Sequence, residues 1–163
     1  MTASYPNPTP AFLGDTTLLS LPERTAFLSS RRITPAAVLR CLDWAESCHD
    51  TDGCILGGFH SPLERDVLRF LLRGHIPVVM ALARPLWKTI PPDLRSPLEE
   101  GRLLLVAPLP PTSGRRASSA TCAARNRWIL AHSTRLVLGT LDPAGSLVRL
   151  LADFPDLPRS FCP

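Results

Sequence analysis

No stretch of about 18 apolar residues occurs in this chain of 163 residues, which excludes a membrane-spanning helix and a membrane partner. The first residues, MTASYPNPTPAF, lack a basic flank followed by an apolar run, so no secretory signal is expected and the cytoplasm is the expected location. Lysine is nearly absent: Lys88 is the only one among the 18 Lys and Arg residues. No CxxC occurs among the five cysteines, an odd number. Cys48, His49, Cys54 and His60 match no compact zinc spacing, so no metal is expected and reduced, mostly buried thiols are. The GxSxG, GxxxxGK[ST], HExxH and strict GxGxxG patterns are all missing, and no internal repeat is seen. No recognised catalytic set remains, and no cofactor is expected.

What is present is ordinary globular material, 45% apolar and 20% charged, with a net charge of +4. Arginine forks suit phosphates and stack on bases, so the basic balance permits an anionic partner. A GC-rich genome would produce the same bias.

Residues 1–17 read as a flexible Pro-rich arm, residues 18–155 as one domain, and residues 156–163, with their prolines, as an irregular tail. Inside the domain, strand and helix signals alternate. Strands are expected at Thr25–Ser29, Cys54–Leu56, Ile76–Leu82, Arg102–Ala107 and Arg135–Thr140. Thr34-Pro35 opens a helix whose apolar face is Val38, Leu39, Leu42 and Ala45. Ser61-Pro62-Leu63-Glu64 is a capping box opening a second helix, which Gly74 ends. Further helices are expected at Pro97–Glu100, over 120–132, and from Leu147 to about Asp153. The pattern is that of an α/β, Rossmann-like, doubly wound sheet, mostly parallel, of about five strands with helices on both faces. Ligands of such folds sit outside the carboxyl ends of the strands.

Four loops stand at those ends. Ser29-Ser30-Arg31-Arg32 offers hydroxyls, guanidiniums and a helix start, a combination suited to phosphate; a solvated basic turn is the alternative. Gly57-Gly58-Phe59-His60 brings paired glycines that let a ligand approach the backbone. Phe59 either stacks a base or plugs the core. A closed Ser61–Glu64 box would set a carboxylate against any phosphate at that helix end. Arg125 and Arg127 lie about 200° apart on a helix, so one faces the crevice and the other the surface or an acidic partner. Gly145 and Ser146, after Asp142-Pro143-Ala144, either touch a phosphate or ribose or simply enter a helix.

Taken together, the order and spacing of these motifs resemble the DNA-processing protein A (DprA/Smf) family, over about Thr25 to Leu150. Ser29-Ser30-Arg31 resembles the family's Gly-Ser-Arg turn, and Leu56 to Ser61 its Ser-Gly-Gly loop. Arg102 to Pro111 resembles its Leu-rich strand ending in Pro-Pro. Arg125-Asn126-Arg127-Trp128-Ile129, strand Leu136 to Gly139 and Gly145-Ser146-Leu147 make the most specific match. The resemblance implies an extended Rossmann-like fold and a protein that binds single-stranded DNA during uptake, transformation or recombination. Ser30, Arg31, Gly57, Gly58, Phe59, His60, Arg125, Asn126, Gly145 and Ser146 would line the DNA or nucleotide pocket. A second copy of the chain and a recombinase are the implied protein partners.

The departures are Ser29 in place of the first glycine, no arginine within Phe59-His60-Ser61, and an expected lack of the family's final strand and winged helix. The alternative function is a nucleotide sensor or a nucleotide N-glycosidic hydrolase of the wider Rossmann-like group. The turn Asp142 to Ser146 lacks that group's Gly-Thr and Glu, which argues against catalysis. A protein-interaction module with a vestigial pocket is the third reading.

Overall fold

The computed structural model describes residues 10–50, 52–110 and 116–163. Its centre is a sheet of seven strands in the order β1-β5-β4-β3-β2-β6-β7. The strands are β1 (Ala11–Gly14), β2 (Arg24–Leu28), β3 (Cys54–Gly57), β4 (Val78–Ala81), β5 (Leu103–Ala107), β6 (Arg135–Leu138) and β7 (Arg159–Phe161). Strands β2 to β7 run parallel; β1 alone is antiparallel, against β5. The helices are α1 (Pro35–Ser47), α2 (Pro62–Arg73), α3 (Pro92–Glu99), α4 (Ser119–Ala131) and α5 (Ser146–Leu151).

Side chains alternate across the sheet because the strand period is two. Phe27, Ile55, Val78, Met80, Leu103, Leu105 and Val137 face one side, where buried residues of α1, α2 and α3 cover them. Ala26, Leu28, Leu56, Val79, Ala81, Leu104, Val106, Leu136 and Leu138 face the other, against Ile129 and Leu130 of α4 and Leu147 and Leu151 of α5. With both faces covered, the strands are continuous apolar runs. Burying each large aliphatic side chain contributes roughly 1.5–3 kcal/mol.

The helix starts follow their punctuation. Thr34 Oγ1 accepts from Ala37 N at 3.2 Å, with Pro35 in the first turn of α1. Ser61 and Glu64 close the capping box of α2 reciprocally.

Four expectations need correction. A flexible arm to residue 17 does not hold, because Ala11–Gly14 pairs with Leu104–Ala107 and a short 3-10 helix over Thr16–Ser20 buries Leu18; residues 1–9 lie outside the described residues. Nor is the tail irregular or the final strand missing. Instead Arg159–Phe161 runs beside β6, helped by Leu136 N donating to the Pro158 carbonyl at 2.8 Å. Proline at 158 leaves that acceptor intact. Helix α3 begins five residues before Pro97, because Pro92 opens it and Pro97 is carried inside. On α1 the buried stripe is Ala37, Cys41, Trp44 and Ala45, leaving Leu39 63% exposed.

The five parallel strands from β5 across to β6 end on one edge of the sheet. The chain crosses from β5 at one side to β6 beside β2, so the winding reverses between β2 and β6.

Candidate nucleic-acid interface

Two clusters form along this edge. The first lies at the reversal. Gly139 N donates to the Leu28 carbonyl at 3.1 Å, and Ser30 N to the Thr140 carbonyl at 3.0 Å. Thr140 N donates to Ser29 Oγ at 3.1 Å, and Asp142 N to Ser30 Oγ at 2.8 Å. A Cβ on Gly139 would stand 2.7 Å from Ser29 Oγ, so the two loops meet only because residue 139 is glycine. Asp142 shapes the following turn: its side chain accepts from Ala144 N at 3.0 Å and its carbonyl from Gly145 N at 2.9 Å. Gly145 is the N-cap of α5 without a side-chain cap bond, and Ser146 is the first helical residue. Arg31 is exposed beside this cluster.

The second cluster is a cleft of about 600 Å³ over the ends of β3 and β4. Its floor is apolar, with Leu68, Met80, Leu82 and Leu94. Its walls carry Arg65, Arg69, Arg84, Arg116 and Arg125, against a single carboxylate among the described residues, Asp93. Among the described residues, only Arg69 of these five has an ion-pair partner, Asp66 at 2.7 Å. Arg84 lies over Trp87, with Cζ 5.7 Å from the ring centroid.

Arg125 is the most buried of the cleft's arginines. It is 5% exposed, and its Nε donates to Asn126 Oδ1 at 3.1 Å, which fixes the plane of the guanidinium. The group lies directly over Gly58, where a Cβ would stand 2.5 Å from Arg125 Cζ. Arg127 points the other way and pairs with Asp153 at 2.7 Å. The 200° separation thus divides the two arginines as expected.

The glycine pair has a role different from the expected one. Gly57 admits the Phe59 ring, whose Cζ would be 2.8 Å from a Cβ there, and Gly58 admits Arg125. Phe59 takes a left-handed φ of 49° and is 1% exposed, so it plugs the core and offers no stacking face. Bulky residues rarely adopt that backbone, and such strain collects at functional sites. His60 is exposed at the cleft rim, and its carbonyl accepts from Arg65 Nε at 3.1 Å. At the start of α2, Glu64 Oε1 takes the Ser61 hydroxyl at 2.7 Å; that helix end is filled by a carboxylate, as the capping box foretells.

Gly58, Phe59, His60 and Arg125 therefore line the cleft, with Asn126 behind Arg125. Ser30, Arg31, Gly145 and Ser146 lie instead with the reversal cluster on the same edge. Arg84 and Trp87 were missed by the sequence reading, although they directly follow a strand and the carboxyl-end rule points to them. Arg116, also missed, leads into α4; residues 111–115 of its loop lie outside the described residues.

No protein-family model matches the sequence, and no curated protein does. Solved structures match in fold. DNA processing protein A from Helicobacter pylori, described in its single-stranded DNA binding mode, superposes with a TM-score of 0.74 at 20% identity, over 97% of this chain and 73% of that one. The chain has the fold of DNA processing protein A. The DprA of Streptococcus pneumoniae gives a TM-score of 0.68 at 16% identity over 93% of this chain. The chain spans about half of that protein, 53%. A molybdenum cofactor binding protein from Rippkaea orientalis gives a TM-score of 0.58 at 10% identity, over 85% of this chain and 75% of that one. The DprA fold thus accounts for nearly all of the chain. Among the described residues no helix is long and apolar enough to cross a membrane.

Proposed function

We propose that this protein binds single-stranded DNA in a DprA-like role, holding phosphates in the arginine-lined cleft. The observation that carries the proposal is Arg125: a guanidinium 5% exposed, with no carboxylate partner among the described residues, laid over a glycine in a cleft wall. Burying a charge is costly unless it is compensated. A phosphate supplies the missing counter-charge, and the side chain is a fork that fits it. Arg65, Arg84 and Arg116 add positive charge, and Trp87 adds an aromatic surface for a base. The shared fold with the H. pylori protein supports the same reading.

A second reading, a small-nucleotide site, is favoured by the size of the cleft, which falls in the range of small-molecule pockets. Dimerisation and recombinase loading rest on the family resemblance, cytoplasmic location on an N-terminus without a signal pattern, and a phosphate contact by Ser30, Arg31, Gly145 or Ser146 on their place in loops at the carboxyl ends of the strands.

Fluorescence anisotropy with a labelled mixed-sequence oligonucleotide, at two salt concentrations, tests the reading. The affinity is expected to fall as salt rises, because phosphate contacts release counterions. No binding at low salt refutes it. A mononucleotide that competes as well as the oligonucleotide favours the second reading.

A further inference from the structure

The cleft has two unlike ends. At the β3 end, Arg125 lies over Gly58. At the α3 end stand Leu94, Trp87 and Asp93, the one carboxylate that lines the cleft. Helix α3 links β4 to β5, whereas Gly58 follows β3, so the two ends belong to different strand ends of the sheet. Asp93 makes no side-chain hydrogen bond or ion pair among the described residues, although five arginines line the same cleft. Asp93 is exposed and a carboxylate repels phosphate, so the orientation that suits a nucleotide here sets its phosphate at the buried Arg125 and its base at Asp93. Leu94 is buried beside Asp93, and Trp87 is half-buried with Arg84 near its ring; together they give the base an apolar and aromatic lodging.

The geometry points to guanine as the base that this cleft prefers, with Asp93 as the specificity-determining residue. An ionised carboxylate only accepts hydrogen bonds. Guanine presents two adjacent donors, its N1–H and its exocyclic amine, and meets both carboxylate oxygens at once. Adenine and cytosine each offer a single amine. Thymine offers one N–H flanked by two carbonyls, which the carboxylate repels. The inference rests on the reading of the cleft as a nucleic-acid site.

The test uses the full chain and short oligothymidines carrying a central pair of guanines, adenines or cytosines, or none. The guanine oligonucleotide is expected to bind about tenfold tighter than the all-thymine one, the low end for a bidentate base contact. Asp93→Asn is expected to bring the four affinities within about twofold of one another, with thermal unfolding showing the variant folded. Equal affinities in the wild-type protein overturn the inference and leave DNA binding standing. So does an Asp93→Asn variant that keeps the guanine preference, or that tightens all four equally; the carboxylate then serves only the positive end of α3. If none of the four binds, the inference and the functional reading fail together.

Discussion

Gly58→Ala separates folding from ligand binding at the β3 end of the cleft. The added Cβ would stand 2.5 Å from Arg125 Cζ, 2.6 Å from Nε and 2.7 Å from Nη1. Ordinary carbon contacts lie near 3.5–4.0 Å, so the guanidinium must retreat by about 1 Å. It sits at the far end of a flexible side chain and borders the cleft, so it has somewhere to go. Gly58 has no left-handed φ, which leaves the backbone compatible with alanine. Alanine at a compatible site contributes about 0.4–1 kcal/mol through the unfolded chain, offsetting part of the cost of moving Arg125. The net change in stability is expected within about 1 kcal/mol, a Tm shift of at most about 4 °C. Ligand affinity is another matter. A hydrogen bond to a charged group contributes about 1.5–3 kcal/mol, so losing one weakens binding roughly 10- to 150-fold. Anisotropy with an oligonucleotide reads the affinity, and differential scanning fluorimetry reads the Tm. A folded Gly58→Ala variant that binds as the wild type does would refute the placement of the phosphate on Arg125.

Two other outcomes follow from the same structure. Burial pushes the thiols of Cys48 and Cys54 up to about 11 from an ordinary 9.0, with nearby arginines opposing the shift. The unfolded chain therefore ionises these thiols first, and stability is expected to hold up to about pH 9 and to decline as pH rises towards 11; denaturant midpoints across that range check it, and a rise would contradict the burial. Ser61→Ala removes the side-chain cap of α2 and the hydroxyl that donates to the buried Glu64 carboxylate, leaving it the residue 61 N–H, so a loss of about 1 kcal/mol is expected in urea unfolding while oligonucleotide affinity stays the same.

Most of the fold is legible in the sequence because its punctuation is local. Thr34-Pro35 and Ser61-Pro62-Leu63-Glu64 each state a helix start within a few residues, and the apolar runs of β4 and β5 are long enough to be strands buried on both faces. The edge strands are not legible in this way. Residues 11–14 and 159–161 are exposed throughout, and their structure comes from pairing with β5 and β6 rather than from a pattern of their own. For the site, helix geometry alone divided Arg125 from Arg127. The use of Gly57 and Gly58 was not readable, because what approaches a glycine depends on residues elsewhere: Phe59 folding back through a left-handed backbone, and an arginine from α4. Arg84 and Trp87 were hidden by their irregular loop, whose place along the cleft is set by the sheet order.

If the buried guanidinium of Arg125 holds a phosphate of the ligand, removing it must weaken binding more than removing its neighbour on the other side of α4. The direct measurement compares Arg125→Gln with Arg127→Gln, two removals of one positive charge from the same helix, by oligonucleotide anisotropy at low salt. Arg127 is tied to Asp153 on the far side, so its loss is expected to change affinity less than about threefold, while Arg125→Gln is expected to weaken binding at least about tenfold. Equal effects of the two substitutions, in folded protein, would contradict the account.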